Sequence, residues 1–480
     1  MGHSVKKNYL YNLIYQVIII LIPLITTPYV SRVLTSSGVG LYSYTNSIAT
    51  YFILFGSLGI SLYAQREIAY LRDNKQKRSN TFFELFILRL ITMTISILVY
   101  YFVIVRNSTY HLFYLIFIIE LIATIFDISW FFQGLEEFKK TVLRQLITKI
   151  ISVICIFVFV KKASDLNIYI LIYVLSTLVG NLSLWFYLPK YIDVKSLKEL
   201  NITKHIKPTL SLFIPQIAMQ IYLVLDKTMI GRIINDMSEV GNYEQSQKII
   251  KLSLTIVTAL GTVLAPRIAN KIANKESDSI KKYLQKSFRF TLFLSIPLCF
   301  GIMGISDNLI PWFLGDGYEK SIVLLKVGSL LILAISLSNV TGIQYLIPAS
   351  KQDTFTKSVV IGAICNVILN AILIPAYASI GAIIASVISE IIIFIIQLYS
   401  IKDIIPLNNI FNNTYKNVIS SIVMFIVVYY LSIKLVPSIL NTFIIIAIGV
   451  IIYIVMVLLF KDETFNDIIK TLKKSILGGR

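Results

Sequence analysis

Asp226, Lys227 and Arg232 close one apolar run, and Lys248 and Lys251 lie at the start of the next, which makes residues 226–251 the densest charge cluster inside hydrophobic sequence. Glu244, Lys248 and Lys251 follow i, i+4, i+7 spacing and share one face of a helix. Such a surface attracts phosphate, because lysine supplies point charge and arginine grips an oxyanion through two parallel hydrogen bonds. Arg32 ends the first apolar run as Arg232 ends the seventh. The expected substrate-binding cations are therefore Arg32, Arg232, Lys227, Lys248 and Lys251, with Arg89 and Arg289 deeper. Ionisable side chains at such depth are expensive unless they meet water or a partner. Among the carboxylates, Asp226, Glu120 and Glu390 are the ones able to couple an ion gradient. The blander reading is snorkelling near helix ends for Lys149, Lys326, Glu84 and Asp127, and a buried structural pair for Arg89 and Glu120.

Other chemistries find no residues to carry them. His3, His111 and His205 have no ligand-spaced partner, and Cys155, Cys299 and Cys365 sit far apart inside apolar sequence, so neither a metal, a disulfide framework nor any cofactor is expected. No Walker-type phosphate loop is present, so nucleotide hydrolysis is not expected.

The elements that must position these charges are membrane helices. Of 480 residues, 56% are hydrophobic and 14% charged, and the mean hydropathy is +0.78. That excludes a soluble domain. A net charge of +19 in a soluble protein would suggest nucleic acid, but here the charges fall in short gaps between apolar runs and read as topology signals. Runs of bilayer length, about 20 residues each, occupy 9–30, 40–62, 81–104, 110–132, 145–160, 167–188, 209–230 and 246–266. Six more lie at 287–306, 321–348, 357–375, 379–399, 416–436 and 439–460, for fourteen transmembrane helices in an all-α membrane protein. Thirty basic residues fall in gaps on the side of the N-terminus and seven on the other. Both termini are therefore expected in the cytoplasm, as a retained multi-pass inner-membrane protein.

A shift of about 200 residues aligns Arg32-Val33-Leu34, Val39-Gly40 and Tyr42 with Arg232-Ile233-Ile234, Val240-Gly241 and Tyr243. It also sets Arg66 beside Arg267 and Arg89 beside Arg289. The repeat unit holds six helices, an even number, so both copies share one orientation and two pseudo-symmetric six-helix lobes are expected, related by an axis along the membrane normal. The domain expectation is 1–200 for the first lobe, 201–400 for the second, and 401–480 for two C-terminal helices and a cytoplasmic tail. Such a duplicated bundle suits alternating access.

The stretches PLITTPYVSRVL (23–34), GLYSYTNSIATYF (40–52), DISWFFQGLEEFKKTVLR (127–144), DKTMIG (226–231), VGNYEQSQKIIKL (240–252) and APRIAN (265–270) carry a resemblance. Over residues 8–400 the chain resembles the bacterial polysaccharide transporter family, repeat-unit flippases of the multidrug/oligosaccharidyl-lipid/polysaccharide exporter superfamily. It departs from the pattern at Thr35 and Ala64, where glycine is usual, and at Gln145, where asparagine often follows Arg144; these changes bear on helix packing rather than on family. The resemblance implies two six-helix lobes plus two helices, and inward-to-outward exchange of an undecaprenyl-pyrophosphate-linked oligosaccharide for capsule, exopolysaccharide or O-antigen assembly. The implied partners are that lipid-linked oligosaccharide, membrane lipids and a candidate polysaccharide polymerase, with no nucleic acid and a monomeric transporter. Two alternatives are weaker. A multidrug or cation exporter would favour acidic over basic residues, and a membrane-embedded polymerase would need acid/base residues in a sizeable outer loop.

Overall fold

With no water to satisfy peptide groups in hydrocarbon, runs of this length and composition can fold only as helices. The computed structural model describes the backbone of residues 2–193, 200–274, 276–406 and 410–467. It describes side chains from Ile22 onward, except at 214–216, 218, 219, 221–223, 260, 262 and 263. His3, weighed as a metal ligand, and Lys6, Lys7, Lys195, Lys198, Lys275, Lys470, Lys473, Lys474 and Arg480, which the topology reading counts, lie outside the described side chains.

Fifteen α-helices are described: α1 Gly2–Ser57, α2 Ile60–Tyr70, α3 Lys75–Tyr100, α4 His111–Ile125, α5 Ser129–Gly134, α6 Phe138–Phe159, α7 Leu166–Ser183 and α8 Ile206–Ile234. They continue as α9 Met237–Ala273, α10 Ser277–Phe313, α11 Glu319–Gly328, α12 Leu330–Thr341, α13 Gln352–Tyr399, α14 Thr414–Lys434 and α15 Ile439–Leu459.

Among the described residues ten helical stretches are long and apolar enough to cross a membrane, or eleven counting the pair Met237–Ala259 and Leu264–Ala273, bent by 45°. The difference from fourteen apolar runs has a physical source. The stretches Ile22–Tyr70 and Gln352–Tyr399 hold 49 and 48 residues, about twice what a bilayer needs; the second contains the runs 357–375 and 379–399, and the first contains 40–62 and the end of 9–30, whose remainder lies earlier in α1. Gln352–Tyr399 is broken at Ala378 (φ 51°, ψ −131°), and Ile22–Tyr70 at Thr35 (φ 62°, ψ 173°) and again at Leu58–Gly59, between α1 and α2. At Ala378 the chain folds back on itself. Asn366 Nδ2 donates to Ser386 Oγ at 3.5 Å, Gly362 abuts Ile393, and Gly381 abuts the Leu373 carbonyl. In a straight helix residues 373 and 381 would stand about 12 Å apart, so α13 is an antiparallel helical hairpin. The two remaining runs, 209–230 and 246–266, lie in α8 and in the bent α9.

The chain divides into two compact units, residues 1–231 and 232–480. In the first, Tyr100, Tyr114, Phe117 and Leu121 form one buried cluster and Ile60, Phe82, Trp130 and Phe131 another. Helix α8 packs with this unit as far as Gly231, so packing groups it with the helices before it, whereas the sequence repeat groups it with those after. In the second unit Phe288, Leu292, Ile296 and Val340 are buried together, and Met424, Val428, Ile445 and Tyr453 fasten α14 and α15 to α10.

Corresponding turns in the two units share a positive φ. Thr35 at φ 62° follows Arg32-Val33-Leu34, and Asn235 at φ 55° follows Arg232-Ile233-Ile234. Glu136 (φ 61°) and Ser350 (φ 58°) both sit in Schellman turns. There Glu137 N–H donates to Phe132 O at 2.8 Å and Lys351 N–H to Leu346 O at 2.9 Å.

Candidate functional site

In the first unit, α8 brings Asp226, Lys227 and Thr228 against the arm of α1 that follows Thr35. The Thr228 hydroxyl lies 2.8 Å from Ser47 Oγ and 3.2 Å from Tyr51 Oη. Gly231 abuts the Tyr44 ring so closely that no Cβ would fit. Asp226 is buried, while Lys227 is half-buried beside it. Arg32 is exposed, three residues before the break at Thr35.

On the same arm of α1, Asn46 Nδ2 donates to Tyr42 Oη at 3.1 Å. The Tyr42 ring meets Tyr169 and Tyr173 of α7 at centroid distances of 5.1 and 5.9 Å. Glu120 of α4 stands within electrostatic reach of Tyr42 and Tyr173, and its Oε2 is buried without a hydrogen bond. A carboxylate oxygen in that position is ready to take a proton or a cation.

Arg89 is not paired with Glu120. It is 1% exposed and donates to the Asp127 carbonyl at 2.5 Å and to Ser61 Oγ at 2.6 Å. Its guanidinium braces α3 against α2 and the turn between α4 and α5 through these two contacts.

In the second unit the repeat of the Tyr42 motif is exact in register. Gln247 Nε2 donates to Tyr243 Oη at 3.0 Å. Here the surroundings are neutral: Tyr243 Oη lies 3.4 Å from Ser386 Oγ on the second arm of α13, and Asn370 Nδ2 donates to Asn366 Oδ1 at 3.0 Å on the first. Lys248 pairs with Glu244 at 3.8 Å, and Lys251 and Arg232 are exposed. Glu390 is buried on the second arm of α13. Arg289 departs from its sequence counterpart Arg89. It pairs with Glu463, just beyond α15, at 2.9 Å, so equal register has not brought equal partners, and it too is engaged by protein. Lys326 pairs with Asp307 at 2.7 Å and lies 5.2 Å from the Tyr429 ring centroid, an internal ion pair rather than a snorkelling end.

Sequence reasoning missed Glu239. This carboxylate takes the Ser379 hydroxyl at 2.5 Å and its N–H at 3.2 Å, and pairs with Lys320, so it fastens the α13 hairpin just past its turn. Its partners lie 81 and 140 residues away, beyond any spacing rule. Among the described residues, no group of three or more His, Cys, Asp or Glu could hold a metal.

The second unit also holds an apolar groove of about 460 Å³, lined by α10 (Phe293, Pro297, Gly301), α14 (Met424) and α15 (Ile446, Tyr453), with Ile256 of α9 at its edge. Lys251 stands five residues before Ile256, about 7.5 Å along the same helix.

The family model described as polysaccharide biosynthesis protein matches residues 5–272, and the MatE model matches 212–372. A putative O-antigen transporter of Escherichia coli K12 is 24% identical over 408 residues, covering 83% of this chain and 97% of the relative. The structure of lipid II flippase MurJ in an inward closed conformation superposes with a TM-score of 0.70 at 18% identity, over 96% of this chain and 100% of that one. An inward-facing multidrug resistance MATE family transporter of the MOP superfamily gives 0.59 at 10% identity, over 80% and 98%. With more than half its length matched, the chain belongs to the polysaccharide biosynthesis protein family, as a multi-pass membrane transporter of the multidrug/oligosaccharidyl-lipid/polysaccharide exporter superfamily and not an enzyme.

Proposed function

We propose that the protein is a flippase that carries an undecaprenyl-pyrophosphate-linked oligosaccharide from the inner to the outer leaflet of the cytoplasmic membrane by alternating access. The observation that carries this reading is the apolar groove of the second unit with Lys251 and Lys248 farther along α9 from its edge. A polyprenyl chain fits a groove of this size and lining, and a pyrophosphate at its end needs fixed cations nearby. The named substrates of the O-antigen and lipid II transporters are of the same chemical kind.

Arg32, Arg232, Lys227, Lys248 and Lys251 are the cations we assign to the pyrophosphate, with Arg89 and Arg289 ranked behind them. Glu120 is the first choice for ion coupling, ahead of Asp226 and Glu390. Counting α13 and the long stretch at Thr35 as two crossings each, and adding α8 and α9, gives fourteen crossings with both termini in the cytoplasm. The repeat then makes 1–200 and 201–400 two copies and 401–480 an appendage. A monomer working beside a polysaccharide polymerase completes the reading.

Replacing Arg32 and Arg232 together by alanine is expected to abolish polymer export at unchanged membrane abundance, with lysine restoring part of it. Full export by the double alanine variant at normal abundance contradicts the assignment.

A further inference from the structure

Between the two sequence halves, residues 201–205 are tied down by a cluster outside the proposed substrate path. Glu84 of α3 is 1% exposed. Its carboxylate accepts from the Asn201 backbone N–H at 2.7 Å, pairs with the Lys204 ammonium at 2.7 Å and lies 2.9 Å from His205 Nε2. From its other side, His205, itself buried, lies with Nδ1 2.9 Å from Tyr63 Oη on α2. With Tyr63 donating to Nδ1, the Nε2–H faces Glu84 and every partner is satisfied. Lys204 remains half-exposed, so water reaches one edge of the cluster.

Directly after His205, α8 begins. It runs along the second arm of α1, with Phe213 against Phe55 and Gly59, and Thr228 against Ser47 and Tyr51. A Cβ on Gly59 would lie 3.2 Å from Phe213 Cα, so the two helices approach closely there. The cluster therefore sets where α8 starts, and with it the height of Asp226 and Lys227, 21 and 22 residues farther on, or about 33 Å of helix to Lys227. A buried ionic group is a poor means of adding stability, since apolar side chains of the same volume do as well, and a good means of fixing one specific, breakable register. The helix it anchors packs with the first unit but belongs by sequence repeat to the second half.

We propose that Glu84, His205 and Tyr63 form a latch that holds the start of α8 on α2 and α3, and that transport requires this latch to open so that α8 can move away from α1. The proposal rests on the transporter reading above. Glu84 and His205 act in it as positioning residues for Asp226 and Lys227.

The test uses the full chain in lipid vesicles, with Cys155, Cys299 and Cys365 replaced by serine. Spin labels at Lys139→Cys and Lys207→Cys report the distance between the start of α6 and the start of α8. A single narrow distribution is expected with the latch intact, and a broadened, longer one with Glu84→Gln or with His205→Phe, which keeps the ring volume. Partial return of the narrow distribution is expected with Glu84→Asp. Superimposable distributions in the native, Glu84→Gln and His205→Phe proteins overturn the latch. In a second arm, a reducible crosslinker joins Glu84→Cys to Lys204→Cys. Movement of a fluorescent lipid-linked sugar is expected to stop on crosslinking and resume on reduction, and undiminished movement in the crosslinked protein overturns the need to open. Should the uncrosslinked native protein move no lipid-linked sugar while the spin-label distances respond as expected, the function reading fails and the latch stands.

Discussion

The surroundings of Tyr42 and Tyr243 share one hydrogen-bonded motif and differ in kind. Both tyrosines accept a hydrogen bond from an amide four residues on, Asn46 at 3.1 Å and Gln247 at 3.0 Å. Around Tyr42 stand two further phenols and the Glu120 carboxylate, one of whose oxygens is buried without a hydrogen bond. Tyr243 is met instead by Ser386 and lies near the amides of α13. A neutral hydrogen-bonded network brings no charge into a membrane interior. A buried carboxylate does bring an ionisable group there, and such groups are functional candidates by default. The comparison teaches that the same tyrosine–amide bond can stand in a charged or a neutral setting, the difference lying in the side chains around it.

The largest effect that can break this comparison is expected at Glu120. Glu120→Gln should lower transport by about 5- to 150-fold, the range of an energetic coupling between sites, at normal abundance. Gln247→Leu in the second unit should leave transport within about twofold and cost about 1 kcal/mol of stability, the net worth of one hydrogen bond. Equal losses from both variants would mean that the two regions do the same work. Initial rates of export against membrane abundance decide it.

A smaller effect is expected in the groove. A Cβ on Gly301 would meet only Met424 Cε, at 3.8 Å, so Gly301→Phe can enter the groove without displacing the core. It should exclude about two or three methylenes of a bound chain at ~0.8 kcal/mol each, weakening lipid-linked substrate by about tenfold or more. Unchanged half-saturation for a lipid-linked sugar would take the groove out of the account.

The smallest effect distinguishes the two turns. Thr35 holds φ 62°, ψ 173°, a region nearly reserved for glycine and disfavoured for a β-branched side chain by about 1–3 kcal/mol. Asn235, at φ 55°, is a residue type that tolerates positive φ. Thr35→Gly should therefore raise thermal stability by about 1 kcal/mol net of its entropic penalty, and Asn235→Gly should change it little. Equal shifts from both substitutions would show that the break at Thr35 carries no strain.

Much of this was legible in the sequence because it was local. Apolar runs and the gaps between them describe neighbours along the chain, and the alignment of Arg32 with Arg232 rests on short matching stretches around each. The break at Thr35 and the hairpin at Ala378 fell in gaps between runs for the same reason. What stayed hidden were partners chosen by folding. Arg89 binds a backbone carbonyl, which has no sequence identity. Arg289 finds Glu463 across 174 residues, and Glu84 finds His205 across 121. Intramembrane charge could be recognised as significant from sequence, but whether it faces substrate or another residue depends on contacts that no periodicity encodes.

The central claim is tested most directly by reconstituting the purified chain in vesicles with a fluorescent undecaprenyl-pyrophosphate-linked oligosaccharide in one leaflet, and following its accessibility to a membrane-impermeant quencher. The account predicts protein-dependent exchange between leaflets that is lost in the Arg32→Ala/Arg232→Ala protein and strongly slowed in Glu120→Gln. Exchange no faster than in protein-free vesicles, from a preparation that is folded and inserted, would contradict it.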